Sequence, residues 1–213
     1  MAETVTADNA DIVGCQVLEQ SGLLDERAYR AASELPDGTN PISDYLGRGW
    51  QAGIEPSATL ECNWLHPYYA SVGLIDPPAL TYLALKAARF PVYPRRAAAE
   101  RVASAVRASG LFDQREYAAL AGLTDDLDPA LHYVVIGERI GFTPSDRFDP
   151  EYYGRRYPDL LSARDCLLVH YAAYGRHEGR RPLSLAAEMN MDTGAIDPQR
   201  ETCLLYTSDA ADE

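Results

Sequence analysis

The chain has 213 residues, 46% of them hydrophobic, and carries a formal net charge of −13 at pH 7. This length suits one domain or one repeat array, and the negative charge argues against nucleic acid and anionic membranes as partners. The acidic stretch Met1–Asp11 is unlike a signal peptide, and no run of 18 apolar residues is present. We therefore expect a cytoplasmic protein without a membrane span.

A spaced signature recurs three times along the chain. A Tyr is followed by a Gly four residues later, by a second Gly after four more and by a Pro after three more. The three copies are Tyr45-Gly49-Gly53-Pro56, Tyr133-Gly137-Gly141-Pro144 and Tyr171-Gly175-Gly179-Pro182. Self-similarity at a fixed period is typical of repeat proteins, in which each unit buries its apolar face against a neighbour.

Residues 21–57 and 109–145 also align without a gap at an offset of 88, with 15 of 37 positions identical. The sequence therefore predicts an all-α fold of tandem helical hairpins, with two units of about 88 residues and four half-repeats. The predicted segments are an N-terminal helix in 1–20, unit 1 in 21–96, a linking helix in 97–108, unit 2 in 109–184, and a linker with the start of a third unit in 185–202.

Each half-repeat predicts two helices with recognisable starts. Because Asp and Asn side chains accept hydrogen bonds from the first turn, and Pro is tolerated at the first helical position, these residues mark N-termini. The first helix is expected to start at Asp25, Asp113 or Asp149, and the second at Asn40-Pro41, at Asp128-Pro129 or near Asp165. The glycines are expected to end the second helix or to allow close packing, and the Pro prevents its continuation.

The second half of unit 1, residues 58–96, keeps this pattern only in part. Thr81-Tyr82 stands where the other copies have His-Tyr or Asp-Tyr. Both glycines of the signature are lost, whereas Pro94 is retained. This half-repeat is therefore predicted to be degenerate.

Two sets of recurring residues admit a functional or a structural interpretation. His132 and His170 could serve as metal ligands or acid–base groups, but Asp44 occupies the same place in the first copy, which favours a hydrogen bond across the hairpin. The tyrosines of the signature are expected to fill the core. The alternative is that they form an exposed stacking platform for a sugar.

Three arginines near the end of the last copy are the candidate ligand-binding residues. Arg176, Arg180 and Arg181 could grip a phosphate or a carboxylate bidentately. The alternative is a solvated turn in which Glu178 forms weak surface pairs with Arg180 and Arg181.

No sequence motif predicts catalysis in this chain. A Walker loop, a GxGxxG that opens a helix, GxSxG, HExxH and CxxC are all absent. We therefore assign no catalytic, cofactor-binding or metal-ligating residue and expect the chain itself to be non-catalytic.

The last half-repeat carries the residues of a known pattern. It contains Phe148-Asp149-Pro150-Glu151-Tyr152-Tyr153, Tyr157-Pro158-Asp159-Leu160, His170-Tyr171, Gly175, Glu178-Gly179-Arg180 and Pro182. This resembles the repeat FDxxYYxxxYPDV…PLxHYLxxGxxEGRxP of bacterial surface-polysaccharide proteins, where it occurs beside glycosyltransferase and rhamnan-synthesis-type domains. The resemblance is specific in 146–184, good in 109–145, weaker in 21–57 and poor in 58–96.

The resemblance implies a parent glycosyltransferase of cell-surface polysaccharide synthesis, for which this chain supplies a helical module. A nucleotide sugar and a divalent metal would then belong to a downstream domain, through which the protein could associate with a membrane. The implied partners are that domain, an acceptor glycan or another protein. The alternative is a protein- or glycan-interaction scaffold of a surface or secreted protein. Similar repeats occur in secreted calcium-binding proteins, but their Gly/Asp-rich nonapeptides are absent here.

The last eleven residues, 203–213, resemble the translation of a sequencing adapter and are excluded from reasoning about the fold. On this interpretation the native sequence is a fragment that stops near Thr202.

Overall fold

The computed structural model describes residues 7–162, 166–185 and 187. Within these residues all regular structure is helical, and the only β pairing consists of two isolated bridges, Ser57 with Leu60 and Ser145 with Phe148. The predicted all-α fold is therefore confirmed. The start of a third unit expected in 185–202 and the tail at 203–213 lie, apart from the first few residues, outside the described residues.

Ten α-helices are described, and three of them continue directly into a π-helical turn. The helices are α1 (Ala7–Ser21), α2 (Glu26–Ser33), α3 (Pro41–Asp44), α4 (Cys62–Ala70), α5 (Pro78–Ala87), α6 (Arg96–Ala108), α7 (Gln114–Leu120), α8 (Pro129–His132), α9 (Pro150–Arg156) and α10 (Leu167–His170). The π-turns Tyr45–Gly49, Tyr133–Gly137 and Tyr171–Gly175 extend α3, α8 and α10. A 3₁₀ turn, Pro158–Ser162, follows α9.

The predicted helix starts are confirmed wherever the chain is described. The N-cap aspartates of α2, α7 and α9 each accept a hydrogen bond from a first-turn N–H, at 2.9–3.0 Å. Asn40 accepts from two N–H groups of α3, and Asp128 accepts from the Leu131 N–H of α8. The start expected near Asp165 lies outside the described residues, and α10 begins after Cys166.

The helices pack as neighbouring pairs, or hairpins: α2 with α3, α4 with α5, α7 with α8 and α9 with α10. α1 packs against α3 and α5, and α6, which lies where the linking helix is predicted, packs against α8 and α10. In every pair the N-cap residue of the first helix donates its N–H to the carbonyl of the Pro after the second helix. These bonds are Asp25–Pro56 (2.9 Å), Glu61–Pro94 (2.9 Å), Asp113–Pro144 (3.1 Å) and Asp149–Pro182 (3.1 Å). The grouping into two larger units stays a prediction.

Tyrosines fill the centre of these hairpins, as predicted. Tyr29, Tyr117 and Tyr153 from the first helices are fully buried, and each meets the buried Tyr of the second helix at a ring separation of 5.5–5.9 Å. The apolar residues of α1 behave differently. Val13 and Val17 are 57% and 42% exposed, whereas Leu18 is fully buried.

The first glycine of each signature lies under a tyrosine hydroxyl. A Cβ added at Gly49, Gly137 or Gly175 would overlap the hydroxyl of the Tyr in the first helix of the same hairpin. The second glycine has a left-handed backbone, with φ of +75°, +90° and +69° at Gly53, Gly141 and Gly179, which ends the helical segment.

The π-turns differ from the continuous α-helices that the sequence predicts. Their i→i+5 bonds include Trp50 N–H to the Tyr45 carbonyl at 3.2 Å and Arg176 N–H to the Tyr171 carbonyl at 2.9 Å. A π-turn accommodates one residue more than an α-turn. It occurs in the three hairpins that place a Tyr over a Gly, and α5 of the degenerate hairpin lacks it. We therefore attribute the extra residue to the fit between Tyr and Gly.

No helix in the described part of the chain is long and apolar enough to cross a membrane.

The glycine under the hydroxyl can be tested against a matched control in the same π-turn. Gly49→Ala is expected to destabilise the fold by about 2 kcal/mol, because the new methyl must displace Tyr29. Gly47→Ala adds the same methyl where nothing lies within 4 Å and should stay within about 1 kcal/mol of the wild type. Urea unfolding of both variants measures the difference.

A double mutant identifies the responsible atoms. In a Tyr29→Phe background, which lacks the hydroxyl, the cost of Gly49→Ala should be smaller. Equal costs for Gly49→Ala and Gly47→Ala would contradict the role given to this contact.

Candidate functional site

The recurring histidines take part in the hairpin contacts rather than in a polar cluster. The Tyr117 hydroxyl lies 2.7 Å from Nδ1 of His132, and the Tyr153 hydroxyl lies 3.1 Å from Nδ1 of His170. In the first copy the Tyr29 hydroxyl donates to the Asp44 carboxylate at 2.8 Å, as expected for a bond across the hairpin. Among the described residues no group of His, Cys, Asp or Glu side chains is placed to hold a metal ion.

His132 is fully buried, and this decides its charge. Burial lowers the pKa of His132 from 6.5 to about 4, since the charged imidazolium is poorly solvated in the core. Its Nε2 has no hydrogen-bond partner in the described structure. The neutral ring therefore serves as a core side chain with one polar contact, and it lacks the solvent access of a general acid or base.

The three candidate arginines have different surroundings. Arg180 donates to both carboxylate oxygens of Asp159, at 3.3 and 2.9 Å, and to Glu178 at 2.6 Å, so its guanidinium is already engaged within the chain. The Arg180 hydrogen bond is the main reason why the pKa of Asp159 is lowered. Arg176 lies over the Tyr171 ring, 5.6 Å from its centroid, and Arg181 donates its backbone N–H to Tyr157. Anion binding by this set remains an untested prediction.

Sequence reasoning missed a buried carboxylate, Glu138, which follows the π-turn of α8. Its side chain is 1% exposed and accepts from the Tyr133 hydroxyl at 2.8 Å and from the N–H groups of Leu167 and Leu168 at 3.1 and 3.2 Å. Glu138 thus caps α10 from the preceding hairpin, where the helix has no cap of its own. Glu55 makes the corresponding contact to α4. These carboxylates are structural, because their oxygens are used in capping.

The Cys166 thiol beside Glu138 is also unsuited to chemistry. Its Sγ lies 3.3 Å from the carboxylate, and burial, followed by the charge of Glu138, raises the pKa of Cys166 well above its ordinary value. A thiol that stays protonated is a poor nucleophile and metal ligand.

The degenerate hairpin replaces the Tyr–Gly contact. Leu65 lies four residues after the N-cap residue Glu61, at the place that Tyr29, Tyr117 and Tyr153 occupy in the other hairpins. The Phe90 N–H donates to the carbonyl of Leu85, as the N–H of Ile54 donates to that of Gly49. Leu85 thus stands at the place of the first glycine.

Arg89, with a φ of +64°, stands at the place of the left-handed second glycine. Leu85 and Arg89 lie three and seven residues after the buried Tyr82. The two glycines of the signature lie four and eight residues after its Tyr, so each replacement comes one residue earlier. The shift follows from the missing π-turn.

A groove of about 410 Å³ opens beside this degenerate hairpin. One wall is formed by the end of α5 and residues 90–93, and the other by Val102 of α6 and the exposed side of α10 with its π-turn. The polar or aromatic residues of its lining are Tyr82, Lys86, Phe90, Tyr93, His170 and Tyr174. We name this site the α5–α10 groove.

Aromatic rings line both walls of the α5–α10 groove. The Tyr174 side chain is 62% exposed and its ring lies 5.7 Å from the His170 ring at a tilt of 46°, while Phe90 is 36% exposed and lies 5.8 Å from the Arg139 guanidinium. Lys86, the sole lysine of the chain, is exposed at its edge. No described lining residue is Asp or Glu. The formally charged residue of the described lining is thus the cationic Lys86, in a chain with a net charge of −13.

A second hollow, of about 260 Å³, lies between the end of α4 and the loop after α7. Its described lining holds one charged side chain, Asp126, and no aromatic ring. It offers fewer groups for recognition than the α5–α10 groove, which we take as the candidate site.

The neutral state of buried His132 predicts a pH dependence of stability. Its pKa in the folded chain, about 4, lies below the ordinary value of 6.5, so the unfolded chain binds more protons between these values. Stability should therefore fall as pH drops from 6.5 towards 4, by at most about 1.4 kcal/mol per pH unit from this group.

The variant His132→Asn should reduce that slope, because the titrating ring is gone. Unfolding free energies of both proteins, measured in urea at pH 8, 6 and 5, test this. At pH 8 the imidazole is neutral in the folded and the unfolded chain, so the difference between the two proteins there measures only the lost packing and hydrogen bonding of His132. An unchanged slope in the variant would show that the acid loss comes from other groups.

Comparison of the chain with known proteins finds no matching family model, no matching curated protein and no matching solved structure. The candidate site is therefore assessed on its geometry, and the likeness to the polysaccharide-synthesis repeat remains a resemblance of residues.

Proposed function

We propose that this chain is a non-catalytic helical-repeat module of a bacterial glycosyltransferase that assembles a cell-surface polysaccharide. In this role it holds an acceptor glycan or a partner for a catalytic domain elsewhere in the parent protein. The resemblance of residues 146–184 to the repeat beside such domains supports the proposal.

The use of the recurring residues supports the non-catalytic part of the proposal. The buried tyrosines, the glycines beneath them and His132 all serve packing or hydrogen bonds between helices. A catalytic site requires a nucleophile, base or metal ligand that a substrate can reach. Of the polar groups that recur in the hairpins, none combines such access with a perturbed pKa among the described residues.

The main observation for a binding role is the α5–α10 groove. It lies beside the described hairpin that departs from the signature, and three of its lining side chains, Lys86, Phe90 and Tyr174, are exposed. Concave sites lined by aromatic rings with a few polar groups are typical of ligand binding.

A turnover assay tests the non-catalytic role. The chain is incubated with a panel of uridine, guanosine and thymidine diphosphate sugars in the presence of Mg²⁺ or Mn²⁺, and released nucleoside diphosphate is measured. Release should equal that of a buffer control. Release that depends on the chain, and that survives repurification, would make the chain an enzyme and overturn this part of the proposal.

The parent protein tests the association with a transferase. Sequencing the source DNA across Thr202 should reveal a domain that binds nucleotide sugars in the same reading frame. Deleting residues 7–185 from that protein should reduce polymer formation more than donor hydrolysis, because the module acts on the acceptor side. A reading frame without a transferase domain would replace this proposal by that of an interaction scaffold.

A further inference from the structure

We infer that the α5–α10 groove binds an acidic saccharide, one residue of a glycan that carries a carboxylate on a pyranose ring. The choice of a saccharide rests on the proposed function, whereas the requirement for a ring and a negative charge rests on the groove itself. No residue of this groove belongs to the three candidate arginines, so the site is separate from them.

The charge of the groove selects an anion. Lys86 supplies an ammonium group at the edge, and the described lining holds no carboxylate that would neutralise it. Glu138, near the floor at Cys166, is buried and pairs with Arg139 at 3.3 Å. Asp159 is bound by Arg180 at 2.9 Å. Among the described lining residues, the charge that a ligand meets is therefore that of the Lys86 ammonium group.

Histidine supplies a second polar contact. Nδ1 of His170 is held by the Tyr153 hydroxyl at 3.1 Å, which fixes the orientation of the ring. The other ring nitrogen, Nε2, can then donate to or accept from a ligand hydroxyl or carboxylate. One fixed imidazole and one flexible ammonium suit a ligand that has both hydroxyl groups and a negative charge.

The aromatic rings select a ligand with a flat apolar face. Tyr174 and Phe90 come from opposite walls and both keep exposed ring surface. The C–H face of a pyranose packs on such rings, while its hydroxyl groups remain at the polar edge. The volume of about 410 Å³ lies in the range of small-ligand pockets, roughly 300–1,000 Å³. It accommodates one or two sugar rings of a longer chain.

Lys86 occupies a position whose residue varies among the hairpins. The residue that follows the first glycine is Trp50, Glu138 or Arg176 in the other hairpins, and Lys86 takes this place after Leu85. Trp50 is half-buried and Glu138 is buried, whereas Arg176 and Lys86 are exposed. The hairpin thus places a charged side chain at the groove without burying it.

The test uses the whole chain and two ligands that differ only in charge. These are the trimer of α-1,4-linked galacturonic acid and the same trimer as its full methyl ester, titrated calorimetrically at low salt. The acid should bind, and the ester should bind at least tenfold more weakly, because it keeps the rings and loses the carboxylates.

Variants assign the binding to the groove. Lys86→Met keeps most of the side-chain volume, removes the charge and should weaken binding of the acid about tenfold. Tyr174→Ala should weaken binding of the acid and of the ester by similar factors, about fivefold, because it removes an aromatic surface on which either sugar ring can pack. Arg115→Met, which removes an exposed charge on α7, is the matched control and should leave both affinities unchanged. Unfolding curves of all variants verify that each is folded.

The outcomes separate this inference from the proposed function. Equal binding of acid and ester, or a loss with Arg115→Met as large as that with Lys86→Met, would overturn the acidic-saccharide site and leave the transferase-module proposal standing. If binding depends on Lys86 and Tyr174 but the gene encodes no transferase, the acidic-saccharide site stands and the transferase-module proposal is overturned. Absence of binding to both trimers at millimolar concentration would also overturn the site.

Discussion

The contact between a tyrosine hydroxyl and a backbone glycine constrains three of the four hairpins. A ring as large as Tyr can cross the interface of two helices only where the facing residue has no Cβ. The hydroxyl must also find a partner once it is buried, and Asp44, His132 or His170 of the second helix supplies one. Tyrosine, glycine and acceptor therefore occur together, and the π-turn that positions the glycine belongs to the same set.

The degenerate hairpin shows what happens when this constraint is absent. Leu65 needs neither a hydrogen-bond acceptor nor a glycine, and accordingly Thr81 replaces His, Leu85 replaces Gly and the helix stays α-helical. The hairpin still closes through the Glu61–Pro94 bond, so its place in the array is kept. The neighbours of the replaced positions, Tyr82, Lys86 and Phe90, line the α5–α10 groove. The candidate site thus lies beside the described hairpin that has lost the signature.

Much of the fold could be predicted from sequence because its signals are local. An N-cap Asp, a Pro at the first turn and a left-handed Gly each act within a few residues, and their positions alone indicate helix ends. Glu138 could not be found in this way, since it caps a helix about thirty residues ahead through contacts that depend on packing. The groove escaped prediction for a similar reason. Lys86 is distant in sequence from His170 and Tyr174, and they meet in the folded chain beside Val102 of α6.

The residue after the first glycine links these observations. As Trp50 its side chain contacts the His66 ring, and as Glu138 it caps the next hairpin. As Arg176 it lies over Tyr171, and as Lys86 it lines the groove. The backbone before and after it is fixed by the core Tyr and by the left-handed residue that ends the helix, so its own chemistry is not dictated by the hairpin. The core can therefore be kept while the role of this position changes, from a structural cap at Glu138 to a groove-lining charge at Lys86. For that reason, a substitution at this position tests recognition where the side chain is exposed, as at Lys86, and tests stability where it caps a helix, as at Glu138.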